Sequence, residues 1–401
     1  MKKNRILYLA LLFTAFIFPY FYGGRLPYLV LYIVLALPAI TFLHALIIMF
    51  RFKYVQFTDK VFIVKGDIVK FSVRITNEDF FLYPYIKAIF VGEETVFEKQ
   101  VQSINFSLLP NSRKTYTFDL ECKYRGEYEI GLKYFEIMDL LGIFRLRYNV
   151  KEMKRVVVYP KITNLDYFDL RTNYIAESRN ILDTFQEDMT SISNIRTYAY
   201  GDTLKKIHWK LTAKKGELMV KEFQNTSEAG VVIILDLFRY GFDLETNTIM
   251  EDKVIECCVC LANYCLQRWI PTSLVFYDNR IVEISAANPL DFQNIYQLLS
   301  VIRFDQQVSV ADLLDVWLRR NFTETNLVII TSNLSYELFD KIYKANTFGY
   351  AVSLIYVSPE ELTQASSVEI GQMLEYLPEI NVQTYKINVG DRIESILEKR
   401  F

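Results

Sequence analysis

Histidine is nearly absent from this chain. Two occur in 401 residues, His44 and His208, and His44 falls inside a long apolar run. His208 is therefore the one imidazole open to soluble chemistry, and mechanisms built on paired histidines, such as His-Glu-x-x-His zinc hydrolysis, are excluded. No Gly-x-Ser-x-Gly elbow, P-loop or dinucleotide fingerprint occurs either. Cysteine is scarce and crowded: of five, Cys257, Cys258, Cys260 and Cys265 share one expected helix, with no histidine near them. Zinc sites draw ligands from two separated knuckles, so these read as small core residues rather than ligands or a disulfide framework. An excess of one charge is also missing, with 45 Lys and Arg against 47 Asp and Glu and a net charge of -2. A sequence pI near 6.0 gives no general basic field for nucleic acid.

What the chain has is apolar length. Ile6–Tyr22 is 17 residues without a charge and Leu26–Phe50 is 25 more, where a span needs roughly 20. Only Gly23-Gly24-Arg25 separates them, so residues 1–54 read as a two-helix transmembrane hairpin. Lys2, Lys3 and Arg5 precede the first run and Arg51 and Lys53 follow the second, against Arg25 alone in the loop. The positive-inside rule then puts both ends, and everything after Arg51, in the cytoplasm. A cleaved signal peptide is the rival reading, weakened by the missing small-residue cleavage site and by the second run. His44 reads as a neutral residue bonded between the helices.

From about 55 to 160 the pattern has period two. Val69, Phe71, Val73 and Ile75 alternate with Lys70, Ser72 and Arg74, and Tyr116–Tyr124 repeats the alternation. Turn signals fall at Lys65-Gly66-Asp67, Thr76–Asp79, Leu109-Pro110-Asn111 and Arg125-Gly126. About seven short strands predict an immunoglobulin-like β-sandwich without its disulfide. Residues 161–193 are polar and mixed and read as a linker.

Residues 194–223, NIRTYAYGDTLKKIHWKLTAKKGELMVKEF, are chosen for something besides packing. They carry seven cations (Arg196, Lys205, Lys206, Lys210, Lys214, Lys215, Lys221) against Asp202, Glu217 and Glu222, with Trp209 among the lysines. The local reading is strand, turn, helix, turn, strand: Gly201-Asp202 turns, Asp202 or Thr203 caps, and Gly216 breaks the helix. Leu204, Ile207 and Leu211 form one apolar stripe with His208 at its edge, and Lys206, Lys210 and Lys214 form a ridge elsewhere. A charge run is usually a solvated face; the indole among the lysines argues for more here.

These residues carry a resemblance. Arg196-x-Tyr198-x-x-Gly201-Asp202-x-x-Lys205-x-Ile207-His208-Trp209-Lys210-x-x-Ala213, with Leu218-x-Val220-x-Glu222, resembles the signature of the bacterial "domain of unknown function 58" proteins. Arg125-Gly126-x-Tyr128-x-Ile130-Gly131 and Asp139-Leu140-Leu141-Gly142-Ile143-Phe144 are similar to a second block, although the family more often has proline where Leu140 stands. The bare reading of those glycines is tight turns. The resemblance implies association with MoxR-type AAA+ ATPases and a von Willebrand factor A-like domain.

After Glu222 the pattern changes to apolar runs at 231–236, 272–277, 327–331 and 352–357, with an alternating edge at 382–387, separated by amphipathic segments. Such alternation predicts a mostly parallel sheet covered on both faces, with 281–284 as a short antiparallel edge. This fits the A-like fold, so 194–401 is one segment of motif plus α/β domain. That fold often holds a divalent cation through Asp-x-Ser-x-Ser, and the matching positions here are Asp236, Phe238 and Tyr240. Two of three oxygen ligands are gone, which predicts no working metal site at Asp236 and no cofactor.

The leading expectation is therefore a membrane-held, non-catalytic interaction or scaffold protein of the cytoplasmic face, partnered by membrane lipid and by a MoxR-like ATPase, with no nucleic acid. The binding residues expected are Arg196, Tyr198, Gly201, Asp202, Lys205, Lys206, His208, Trp209 and Lys210. Three alternatives stay open: Arg196, Lys206, Trp209 and Lys210 as a site for phosphate or an anionic headgroup, a hydrolase or transferase built on His208 and Asp202, and a structural role in which Arg196, Asp202 and Trp209 lock the motif between the two domains.

Overall fold

The computed structural model describes residues 2–91, 103–150, 153–170, 192–198, 207–223, 230–239, 241–320, 325–363 and 368–399. The chain divides into two compact units, 1–161 and 162–401.

The first unit opens with helices α1 (Lys2–Tyr22) and α2 (Arg25–Arg51), both long and apolar enough to cross a membrane. Gly23 and Gly24 join them at φ 54° and 85°, where a side chain would be strained. The helices touch along their length, and the Tyr8 hydroxyl donates to the Val34 carbonyl at 2.9 Å.

Nine strands follow: β1 (Lys53–Thr58), β2 (Ile63–Val64), β3 (Ile68–Asn77), β4 (Tyr83–Val91), β5 (Ile104–Leu108), β6 (Ser112–Glu121), β7 (Gly126–Met138), β8 (Arg145–Asn149) and β9 (Lys154–Tyr159). They make a three-stranded sheet, β1-β3-β6, and a second sheet, β2-β9-β7-β4-β5, with β8 added to β7. The alternation read in β3 is the burial alternation observed, with Val69, Phe71, Val73 and Ile75 facing the core. One core serves both sheets, and it includes Ala45, Ile48 and Phe52. The apolar run Leu26–Phe50, which reads as a single span, thus gives its last three turns to the β core. Hydropathy does not separate a helix face that meets lipid from one that meets protein, because both are apolar.

In the second unit, β10 (Ile192–Thr197) pairs with β11 (Met219–Phe223) as an antiparallel ribbon around the short helix α3 (Trp209–Lys215). Six further strands form one sheet in the order β14-β13-β12-β15-β16-β17: β12 (Val231–Leu235), β13 (Thr272–Asp278), β14 (Arg280–Ala286), β15 (Asn326–Thr331), β16 (Ala351–Ser358) and β17 (Gln383–Asn388). All pairs are parallel except β13 with β14, the antiparallel edge that the Asp278-Asn279 turn signal implies. Helices α4 (Leu244–Gln267), α5 (Phe292–Val301), α6 (Val310–Arg320), α7 (Tyr336–Thr347), α8 (Glu360–Thr363), α9 (Val368–Glu379) and α10 (Ile393–Leu397) fill the connections.

Helix α4 is covered on nearly every side, and all four of its cysteines are fully buried thiols outside any disulfide. Burial pushes the Cys260 and Cys265 thiols up to about 12, and Cys257 also well above its ordinary value, so they stay protonated and inert. Part of that cover corrects the linker reading. Residues 162–170 run extended over α4, inserting Leu165, Phe168 and Leu170, because their apolar side chains find a ready surface there. Phe168 stacks near Tyr385, the Cys260 thiol points at the Thr163 carbonyl, and Arg268 donates to the Asp166 carbonyl at 2.6 Å. Residues 171–191 lie outside the described residues.

Candidate functional site

The motif ribbon is built on Val220. Its backbone pairs with Arg196 of β10 on one side and with Ile207 on the other, so three extended segments meet at one residue. Ile207, Met219 and Val220 are buried. Pairing at Ile207 keeps that residue extended; the expected Asp202 or Thr203 cap lies outside the described residues. Helix α3 begins at Trp209, with His208 as its N-cap. The His208 backbone N–H donates to the Met219 carbonyl at 2.8 Å, and its Nδ1 accepts from the Leu211 amide at 3.2 Å. Gly216 ends the helix in the left-handed region (φ 75°), as read from the sequence, and Thr212 Oγ1 accepts from the Met219 amide at 3.0 Å. Helix α3 is thus tied to Met219 of β11 through its N-cap and through Thr212 in its middle turn.

The outcome is a fixed helix with one open side. Trp209, Lys210, Ala213 and Lys214 fall within about 140° of arc at 100° per residue and are all exposed, Trp209 at 65%. Leu211 and Thr212, on the other side, are half-buried. Among the described residues no acid pairs with Lys210, Lys214 or Lys215. Tyr198 follows β10 half-buried, its amide donating to the Leu218 carbonyl at 2.8 Å. Arg196 enters the ribbon through its backbone, opposite Val220. Gly201, Asp202, Lys205 and Lys206 lie outside the described residues, as does the expected pairing of Asp202 with His208.

Asp236 stands at the carboxyl end of β12, at the point where the strand order reverses toward β15. In open α/β sheets that crevice is the usual ligand position. Here the protein itself uses the carboxylate. Oδ1 accepts from the Phe238 amide at 2.9 Å, and Oδ2 accepts from the Thr331 hydroxyl at 2.6 Å. Thr331 Oγ1 in turn accepts from the Asn333 amide at 2.8 Å. With Phe238 at the second position of the Asp-x-Ser-x-Ser pattern, this donor set does not fit a magnesium ion, which needs six oxygens in near-octahedral array. Tyr240 lies outside the described residues.

Sequence reasoning missed a second organised cluster, within the first unit. The block of residues 139–144 is the β7–β8 turn, and Asp139 is fully buried in it. Its Oδ1 accepts from the Phe144 amide at 2.8 Å, and its Oδ2 accepts from the Thr41 hydroxyl of α2 at 3.0 Å. From α1, Asn4 donates to the Leu141 carbonyl at 3.0 Å and Arg5 to the Ile143 carbonyl at 2.9 Å. Gly142 sits at φ 67°, and a Cβ there would collide with the Asn4 amide. The turn residues were legible; that they clamp both apolar helices was not.

The family model described as "Protein of unknown function DUF58" matches residues 194–285, from the motif ribbon through the first three strands of the α/β sheet. The uncharacterized protein YeaD of Bacillus subtilis (strain 168) is 21% identical over 391 residues, covering 91% of each chain. Among solved structures, the sporulation control protein Spo0M of Bacillus subtilis shows 11% identity over 37% of this chain and 57% of its own, with a TM-score of 0.17. A Paenibacillus cycloisomaltooligosaccharide glucanotransferase shows 10% identity over 82% of this chain and 52% of its own, also at 0.17. Scores this low carry no argument about fold, and this chain spans little more than half of either solved chain. The motif, the family-model match and the distant relative support the resemblance to the DUF58 family, whose function its own description leaves open.

Proposed function

We propose that the chain is a membrane-anchored, non-catalytic interaction protein that docks a protein partner on the face formed by Trp209, Lys210 and Lys214. One observation carries this reading: a short helix bonded to Met219 of the ribbon, through its His208 cap and through Thr212, holds an indole and two lysines in the open. An exposed tryptophan flanked by cations is the composition of an interface anchor. The carboxylate at the sheet's crevice, by contrast, is occupied by Thr331 and Phe238. The partner in this reading is a MoxR-type AAA+ ATPase working in assembly or maturation of envelope proteins, which the family resemblance supports. In this reading the α/β unit is von Willebrand A-like. Its strands, counted within the unit, run 3-2-1-4-5-6 with the third antiparallel, which supports the comparison. The two-sheet unit is an immunoglobulin-like spacer. The bias of Lys2, Lys3, Arg5, Arg51 and Lys53 over Arg25 supports a cytoplasmic face for both units.

The test is equilibrium binding of the purified ATPase encoded in the same genome to the full chain in lipid nanodiscs. The triple variant W209A/K210E/K214E is expected to weaken binding at least tenfold, a loss of about 1.4 kcal/mol. Equal binding by parent and variant, or no binding by the parent, contradicts the proposal.

A further inference from the structure

Beyond anchoring by its helices, the first unit presents a second apolar surface at one end of its sheets. Strands β3, β5 and β7 finish at that end and β4, β6 and β8 start there, so three turns lie side by side with the point where α2 enters the core at Phe52. Each turn carries a large apolar side chain at its tip and leaves it in the open: Phe80 at 91% exposure, Leu109 at 67% and Leu140 at 50%. The turns are not loose. Asn77 donates to the carbonyls of both Phe81 and Leu109 at 2.9 Å, and the third turn is held by Asp139, Thr41, Asn4 and Arg5.

Helix α2 extends the same surface. Thr41, Ala45, Ile48 and Phe52 lie within one narrow stripe that closes the end of the core. The opposite stripe, which includes Ile47 and Phe50, stays exposed. The helix is also longer than a span requires. Its 27 residues reach about 40 Å, against a hydrocarbon core of about 30 Å. The surplus is the part that closes the β core.

The acids at this rim are paired or turned inward. Asp79 beside Phe80 pairs with Arg51 at 2.6 Å, and Glu78 pairs with Lys53 at 2.5 Å. Asp139 beside Leu140 is turned inward and hydrogen-bonded. Soluble monomers rarely hold such a patch in water, and this one is continuous with two helices long and apolar enough to cross a bilayer.

We infer that this end of the β unit sits in the lipid interface, with Phe80, Leu109 and Leu140 inserted among the headgroups and upper acyl chains and the outer face of α2 between Thr41 and Arg51 lying against lipid. The inference rests on the membrane reading of α1 and α2 but not on any protein partner. It makes the β unit a plug seated on the bilayer rather than a domain on a tether.

The full chain, reconstituted in phosphatidylcholine–phosphatidylglycerol vesicles containing chain-brominated lipid, provides the test. Single variants Phe80→Trp, Leu109→Trp and Leu140→Trp are compared with Val61→Trp, at the opposite end of the sheets, and with Leu11→Trp in α1. The native tryptophans, all in residues 162–401, are the same background in each. Bromolipid is expected to quench the added fluorescence at positions 80, 109, 140 and 11 and to leave position 61 unquenched. Quenching at 11 with positions 80, 109 and 140 matching 61 overturns the inference and leaves the membrane anchor standing. No quenching at 11 either overturns both. The three tips are exposed and report independently, so one variant that fails to fold leaves two readings.

Discussion

At position 208 the imidazole does work that needs no proton transfer. Its Nδ1 accepts the Leu211 amide and so supplies the cap for a helix of only seven residues. A cap is worth about 1 kcal/mol, which matters for an element this short. His208→Ala is therefore expected to speed hydrogen exchange at the Leu211 amide roughly fivefold, whereas His208→Asn, which keeps an acceptor, leaves it near the parent rate. Equal protection in all three proteins would remove the capping role and return His208 to the pool of catalytic candidates. The sequence placed this residue on the edge of a helix stripe rather than at its start. Histidine stands outside the usual capping set of Ser, Thr, Asp and Asn, and the backbone pairing that keeps Ile207 extended is non-local. Asp236 was more legible, because the loss of hydroxyl-bearing neighbours is written in the residues themselves. Its hydrogen bond from Thr331, 95 positions away, is not.

Elements tell a similar story. The buried strands of the α/β sheet could be read directly, since a strand covered on both faces is an unbroken apolar run such as Val231–Leu235. Helix α2 was legible only halfway: its length and apolarity were plain, but its division between lipid and β core depends on which face meets the sheets. The Asp139 turn shows what that division requires. Asp139→Ala leaves the Thr41 hydroxyl and the Phe144 amide without their buried acceptor, a cost on the order of 3 kcal/mol for bonds to a charged group. Gly142→Val adds left-handed strain and a clash with Asn4. Both variants in detergent are expected to melt several degrees below the parent, and Leu140→Ser, at the exposed tip of the same turn, to melt with it. Parent-like melting of Asp139→Ala would mean that the turn does not clamp the helices.

On the scale of the whole molecule, one chain joins a membrane-suited unit to an α/β unit that carries the exposed Trp209, Lys210 and Lys214 beside a ribbon outside the main sheet. Nothing in that division was hidden in the sequence, where the change from period-two alternation to separated apolar runs is abrupt. The boundary itself shifted. Residues 162–170 read as polar linker, yet three apolar side chains commit them to the second unit. The central claim is that the indole-and-lysine face of α3 is where a partner binds. A photo-crosslinking amino acid placed at position 209 of the full chain in nanodiscs tests this most directly, with the same probe at Tyr336, also exposed in the α/β unit, as comparison. The account predicts a covalent adduct with the MoxR-type ATPase from position 209 and none from 336. No adduct from 209, or equal yield from both positions, contradicts it.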